Sequence, residues 1–242
     1  MTLKHTLKQW ALRCGIEVRR YNAIESSEAR LGHQLKLHRV GLVLDVGAND
    51  GGYGRLLRGL GYRGEIVSFE PLSDAHAALS RATAADPLWH VAPRMALGAE
   101  NGTVTINIAG NSASSSVLPM GKLHAEAAPE SRYTGAEPVP LCRLDSVTHP
   151  ALAGGSPMLL KIDTQGFEMA VLRGAAGLLP RVAGVQVELS VVPLYEGQAA
   201  YREVIDFLEA AGFGLWNVMP GFADARSGRM LQFDGIFFRP PQ

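Results

Sequence analysis

The stretch "VLDVGANDGGYGRLL", residues 43–57, joins a short apolar run to a helix through a cluster of glycines and acids. Leu42, Val43 and Leu44 are too few and too β-branched for a helix and read as a buried strand. The run ends at Asp45. Gly47 and Gly51 follow, where the backbone can turn sharply and approach a ligand closely. From Tyr53 onward, Leu56, Leu57 and Leu60 make a helical apolar stripe. Strand, glycine turn and helix N-terminus together form a general device for holding a nucleotide-like ligand.

Outward from this turn, apolar runs and helical stripes alternate. Strands are predicted at 41–46, 65–69 (EIVSF), 89–92, 158–163 (MLLKID) and 184–189 (GVQVEL). Helices fit at 53–60, 73–84, 167–179 and 201–211. This pattern predicts an α/β fold, a mostly parallel sheet with helices on both faces. Two parts depart from it. Residues 102–108 (GTVTINI) read as an extra strand, followed by the serine-rich GNSASSSV and a loosely patterned stretch to about 140. From Phe213 the chain reads strand, turn, strand (FGLWNVM, PGFADARSG, RMLQFDGIFFR), and two strands joined without a helix pair antiparallel or leave the sheet. Such an antiparallel ending points away from an ordinary dehydrogenase. Ahead of the turn, an amphipathic helix is predicted over 2–14, with Leu3, Leu7, Trp10, Ala11 and Cys14 on one side, and a second over 26–38 capped by Ser26 or Ser27. We expect a helical lead-in over 1–40 and one domain over 41–242, with a variable acceptor or lid segment near 111–140.

The 242 residues carry 23 basic and 23 acidic side chains, and a net charge of zero argues against a chain whose main work is gripping nucleic acid or an anionic membrane. Basic residues crowd the first forty positions, where a solvated helical face is the plainer reading. Cys14 and Cys142 stand alone, with no zinc spacing and no disulfide framework, as suits a reducing cytoplasm. No membrane span is expected, nor a nucleic-acid partner; a homo-oligomeric state is left open.

In folds of this kind ligands sit at the C-terminal ends of the strands, which here carry Asp45, Glu70, Asp163 and Glu188. Four acids at one edge favour a cation or hydroxyls that need acceptors. Glu70 follows Asp45 by 25 positions in "VSFEP", placed to accept both ribose hydroxyls of an adenosine, with Pro71 turning the chain away. The turn reads G-A-N-D-G-G, with Asn49 where a dinucleotide loop needs glycine and Asp50 inside it. A carboxylate repels a pyrophosphate and attracts an ammonium or sulfonium, which favours S-adenosylmethionine over NAD.

These motifs in order, "LVLDVGANDGGYG", "IVSFEPL", "MALG", "NSASSSV", "LLKIDTQGFEMAVLRGA", "QVELS" and "GRMLQFDGIFFR", resemble the FkbM family of S-adenosylmethionine-dependent methyltransferases from about residue 40 onward. The resemblance implies a class I methyltransferase fold, a seven-stranded Rossmann-like sheet with its last strand antiparallel. It also implies methyl transfer, usually to a hydroxyl oxygen on a natural product or sugar, with S-adenosylhomocysteine as product. By position Asp45, Gly47, Asn49, Gly51 and Tyr53 fall in the methionine-end cradle, Glu70 and Pro71 at the ribose, and Ala96 and Leu97 at the adenine. Ser114, Ser115 and Ser116 could cap the cofactor's amino-acid end; a flexible polar loop is the plainer alternative. Many family members carry a second acid where this chain has Gln165.

Asp163, at the end of its strand and two residues from Lys161 on the same face, is the first candidate for the base that takes the hydroxyl proton. It also borders the cofactor. Glu188 is the second candidate base, and Asp234 could reach the same cleft from the hairpin. Glu168 reads as a helix cap. His38 and His124 read as structural, with the alternative that His124, Arg132 and Tyr133 belong to an acceptor lid over 117–140. We expect no required metal, since Asp163 and Glu188 supply only two obvious ligands. Two other functions compete: a nucleotide-dependent oxidoreductase, and a catalytically inactive module that binds S-adenosylmethionine.

Overall fold

The computed structural model describes residues 3–240; Met1, Thr2, Pro241 and Gln242 lie outside the described residues, and with them the predicted helix start at Thr2. In chain order the elements are α1 (Leu3–Arg13), α2 (Ser27–Leu37), β1 (Leu42–Val46), α3 (Gly52–Gly59), β2 (Glu65–Phe69), α4 (Ser73–Thr83), β3 (Trp89–Val91), β4 (Ala96–Leu97) and β5 (Gly102–Ala109). There follow α5 (Lys122–Ala127), β6 (Tyr133–Cys142), α6 (Pro150–Ala153), β7 (Met158–Ile162), α7 (Glu168–Gly174), β8 (Val182–Ser190), α8 (Tyr201–Ala210), β9 (Gly214–Pro220) and β10 (Gln232–Phe238).

Seven strands form one sheet in the order β3-β2-β1-β7-β8-β10-β9. The pairings among β3, β2, β1, β7 and β8 are parallel, while β10 runs antiparallel between β8 and β9. Strand order reverses beside β1, which places a ligand crevice over the C-terminal ends of β1 and β7. Strand parity divides the core. Leu42, Leu44 and Val46 pack with Val171, Leu172, Val204 and Leu208 of α7 and α8. Val43 faces the other way, with Leu31 and Leu35 of α2, Leu57 of α3 and Leu79 of α4. Ser26 caps α2 as expected, its hydroxyl accepting from the Ala29 amide at 3.2 Å.

A second sheet, β4-β6-β5, stands over the crevice. The extra strand predicted at 102–108 is β5, and its partner β6 went unrecognised inside the loosely patterned stretch. Pro138 and Pro140 hide it, because proline lacks the N–H a central strand needs. Here β4 pairs only with Leu141 and Cys142, so beside both prolines that edge is open. The lid expected over 117–140 therefore shrinks, since residues from 133 onward are sheet. The helix predicted over 167–179 also ends early, at Gly174, with Gly177 and Pro180 following. In α1 the apolar side is not packed away: Ala11 is buried, but Leu7 and Trp10, and Cys14 just beyond the helix, are exposed.

Candidate active site

The turn after β1 is held in an unusual backbone shape. Gly47, Asn49 and Gly51 all have positive φ, at 77°, 47° and 92°. Asparagine tolerates that region, but a side chain on Gly47 would run into the Asp163 carbonyl, so here only glycine lets the ends of β1 and β7 close together.

Above this turn lies a cavity open to solvent, enclosing about 670 Å³ when its mouth is included. Of the residues assigned from the sequence, Gly47, Asn49, Glu70, Pro71, Ala96, Leu97, Ser115 and Asp163 line it. Asp45, Gly51, Tyr53 and Glu188 do not, and each has another place. Gly51 caps α3, where an added Cβ would press on Leu79 and Trp89. Phe69, Met95, Ile106 and Phe167 complete an apolar wall, part of it supplied by the second sheet.

Glu70 is 4% exposed, and its two oxygens accept from the amides of Asn49 at 2.7 Å and Leu72 at 2.9 Å. Each oxygen keeps a further lone pair. Burial pushes this carboxyl up to about 7, against the pull of those two amides.

At the opposite wall, Asp163 meets a side-chain amide. Gln165 Nε2 donates to Asp163 Oδ1 at 2.9 Å and to Glu188 Oε2 at 2.7 Å, while its Oε1 accepts from the Tyr195 hydroxyl at 2.8 Å. The amide so oriented puts its hydrogens between two carboxylates. Gln232 Nε2 also donates to Glu188 Oε2, at 2.7 Å. Burial, then the charges of Asp163, Glu168 and Asp234, pushes the Glu188 carboxyl well above the usual range. The serine loop sits over these groups. The Ser116 hydroxyl donates to the Gln165 carbonyl at 2.6 Å, the Ser112 hydroxyl to Asn49 Oδ1 at 3.1 Å, and Ser115 Oγ accepts from the Ala109 amide at 3.0 Å. Glu168 ties the turn ahead of α7, one oxygen accepting from the amides of Thr164 and Gly166 at 3.0 Å each; α7 itself has no side-chain cap, so the helix-cap reading of Glu168 is corrected to a turn-holding one.

Beneath the cavity floor runs a buried polar row. In register across β2, β1, β7 and β8 stand Ser68, Asp45, Lys161 and Gln186. Asp45 shares the face of Val43 rather than pointing to the cavity, the direction that placing it in the cradle required. Lys161 Nζ lies 3.4 Å from Asp45 Oδ1, 3.5 Å from Asp163 Oδ2 and 3.3 Å from the Gly47 carbonyl it donates to. Burial works against its charge, but the carboxylates of Asp163, Asp45 and Asp234 outweigh that and hold the ammonium protonated. Trp89 Nε1 donates to Ser68 Oγ at 3.0 Å at one end of the row. At the other end Tyr53 donates to Gln186 Oε1 at 2.7 Å, and Gln186 Nε2 to Asp234 Oδ2 at 3.2 Å. Tyr53 thus belongs to this row, and Asp234 faces it.

Burial raises Glu70 and Glu168 to about 7 and Asp234 to about 6. Between the ordinary carboxylate range and pH 7 the native chain therefore binds more protons than the unfolded chain, and these groups lose stability as pH rises. Through these carboxyls the ligand-free protein is expected to gain stability from pH 7.5 to pH 5, against the opposite pull of the buried His124 and half-buried His38 and His149 imidazoles. Glu168→Gln should flatten part of that slope in a thermal scan.

Sequence reasoning missed Gln165 as an organising group, although its place between strand and helix in "KIDTQGFE" was the available signal. Tyr195, Gln186 and Gln232 carried no signal. His124 lies in an apolar satellite cluster, its ring against Tyr195 and Phe222, and does not line the cavity. No cluster of three or more metal-ligating side chains occurs among the described residues.

The sequence model of the methyltransferase FkbM domain matches residues 45–215, more than two thirds of the chain. Curated proteins give no significant match. Among solved structures, the methyltransferase FkbM from Methylobacillus flagellatus KT is 11% identical with a TM-score of 0.49; the match covers 81% of this chain and 44% of that one. An rRNA methylase from Streptococcus thermophilus is 10% identical with a TM-score of 0.46, covering 92% and 98%. An S-adenosylmethionine-dependent methyltransferase from Mesorhizobium loti is 9% identical with a TM-score of 0.46, covering 90% and 100%. The chain thus spans less than half the length of the Methylobacillus protein.

Proposed function

The chain belongs to the FkbM methyltransferase family, and on that premise we propose that it moves the methyl group of S-adenosylmethionine to a hydroxyl oxygen of a small-molecule acceptor, a natural product or a sugar. The observation that carries this reading is one cavity with a buried carboxylate, Glu70, on one wall and a second carboxylate, Asp163, on the other.

The residues present fit S-adenosylmethionine. Glu70 offers free lone pairs to a ribose diol. Phe69, Met95, Ala96, Leu97 and Phe167 give a flat base an apolar slot. Gly47, Asn49 and Ser115 lie where a methionine end would reach, and nearby carboxylate suits a cation better than a pyrophosphate. The bound cofactor would supply an electrophilic methyl group on positively charged sulfur. Asp163 accepts the proton of the acceptor hydroxyl, so that its oxygen attacks as an alkoxide-like nucleophile. Gln165 holds one oxygen of Asp163 and Lys161 lies 3.5 Å from the other, so Asp163 meets the cavity as a carboxylate held on both sides. With cofactor and acceptor bound, the apolar wall and the serine loop would close round the reacting atoms, and alignment supplies much of the rate.

Glu70→Ala is expected to weaken S-adenosylhomocysteine binding about 10- to 100-fold, the worth of one or two hydrogen bonds to a charged acceptor. Because the ionised carboxylate is the better acceptor, wild-type affinity should rise with pH through about 7 and the variant's should not. Function itself is tested by incubating the protein with methyl-labelled S-adenosylmethionine and a panel of sugars and polyketide alcohols, then locating the label. Ether-linked label supports the reading. Label on nitrogen or carbon overturns it.

A further inference from the structure

A net charge of zero conceals a division of the chain. Residues 3–24 hold Lys4, Lys8, Arg13, Arg19 and Arg20 against a single acid, Glu17, a formal +4 balanced by −4 on the rest. That one acid, Glu17, is bonded to Arg19 at 2.6 Å.

The same segment carries most of the exposed large apolar side chains among the described residues. Leu7, Trp10, Leu12, Ile16, Val18, Tyr21 and Ile24 are all exposed, Trp10 by 64%, Tyr21 by 67% and Ile24 by 84%. Along α1, Leu7 and Trp10, continued by Cys14, recur at three- and four-residue spacing and form one exposed stripe, with Ala11 buried behind it, and Lys8 and Arg13 flank it on either side. Apolar side chains in this number ordinarily face a partner. The segment is attached to the body near Arg30, whose guanidinium donates to the carbonyls of Ala23 and Ile24 and to Asn217 of β9. That attachment is at the sheet's β9 edge, on another strand from those whose ends form the cavity.

We propose that residues 3–24 seat the protein on an anionic lipid surface, with the Leu7–Trp10 stripe in the headgroup boundary and the lysines and arginines against the lipid charge. A helix with an apolar stripe, basic flanks and an interfacial tryptophan is built for that plane. A second copy of this chain fits less well, because two such faces would bring like charges together.

The full chain is mixed with vesicles of phosphatidylcholine alone or with about one third phosphatidylglycerol, and bound protein is read by flotation. Binding is expected on the anionic vesicles and should fall as salt rises. Each of Lys8→Gln and Arg13→Gln should weaken it roughly fivefold, the weight of one cation near such a surface. Trp10→Ser should also weaken it, without changing the melting temperature or S-adenosylhomocysteine binding, which shows that the fold survives. Equal binding to uncharged vesicles, no binding to either, or a Trp10-dependent dimer in light scattering without lipid would each overturn the proposal.

Discussion

Replacing Asp163 with Asn is expected to slow methyl transfer by about 10²–10⁴-fold, the contribution of a positioned general base. The substitution keeps the side chain's shape and an oxygen that can still accept from Gln165 Nε2. What it removes is the capacity to take a proton, together with the negative charge 3.5 Å from Lys161. Lys161 retains its ion pair with Asp45, so the cavity floor survives, and S-adenosylhomocysteine should bind the variant much as it binds the wild type. The loss then falls on kcat. Glu188→Gln serves as the comparison, because Glu188 does not line the cavity and is occupied by two side-chain amides. It should cost far less than Asp163→Asn. The reverse order, or a full rate in Asp163→Asn, would remove Asp163 from the role.

Lys161→Met carries the largest expected effect on stability, about 3–5 kcal/mol, the cost of leaving one charge of a buried pair without its partner. Methionine fills the volume but gives Asp45, which is 0% exposed, no cation. Asp45 then has one hydroxyl, Ser68 Oγ at 3.2 Å, for a full negative charge. Burial already pushes its carboxyl upward, and without the lysine it should take a proton instead. The variant should therefore regain stability as pH falls, and adding Asp45→Asn should recover part of the loss at neutral pH. Urea unfolding at two pH values reads both effects. A loss that ignores pH and the second substitution would mean that Lys161 acts through packing alone.

The fold was legible wherever hydrophobic period and turn chemistry agreed. The run at 42–46, the glycines after it and the helix-free C-terminal pair define the crevice and the antiparallel ending without any long-range information. Strand β6 was not legible, because Pro138 and Pro140 are acceptable only where a neighbouring strand stops short. Asp45 and Tyr53 illustrate a second limit. Reading a carboxylate near a strand end does not tell which face it takes, and one position of parity separates the cavity from the core. Asp45 takes the core face beside Lys161, whereas Glu70 and Asp163, one residue past their strands, reach the cavity. Gln165 sits in the left-handed region, φ 53°, and its reach to two carboxylates depends on that turn. The basic crowding of the first forty positions was legible, but the exposure of Leu7, Trp10, Leu12 and Ile16 beside it was not.

Calorimetric titration of wild type and Glu70→Ala with S-adenosylhomocysteine and, separately, NAD decides whether the cavity holds an adenosyl ligand through Glu70. One-site binding of S-adenosylhomocysteine to the wild type, weakened 10- to 100-fold in the variant, with no heat from NAD, is the expected result. Binding of NAD in place of S-adenosylhomocysteine, or adenosyl affinity untouched by the loss of Glu70, would contradict it.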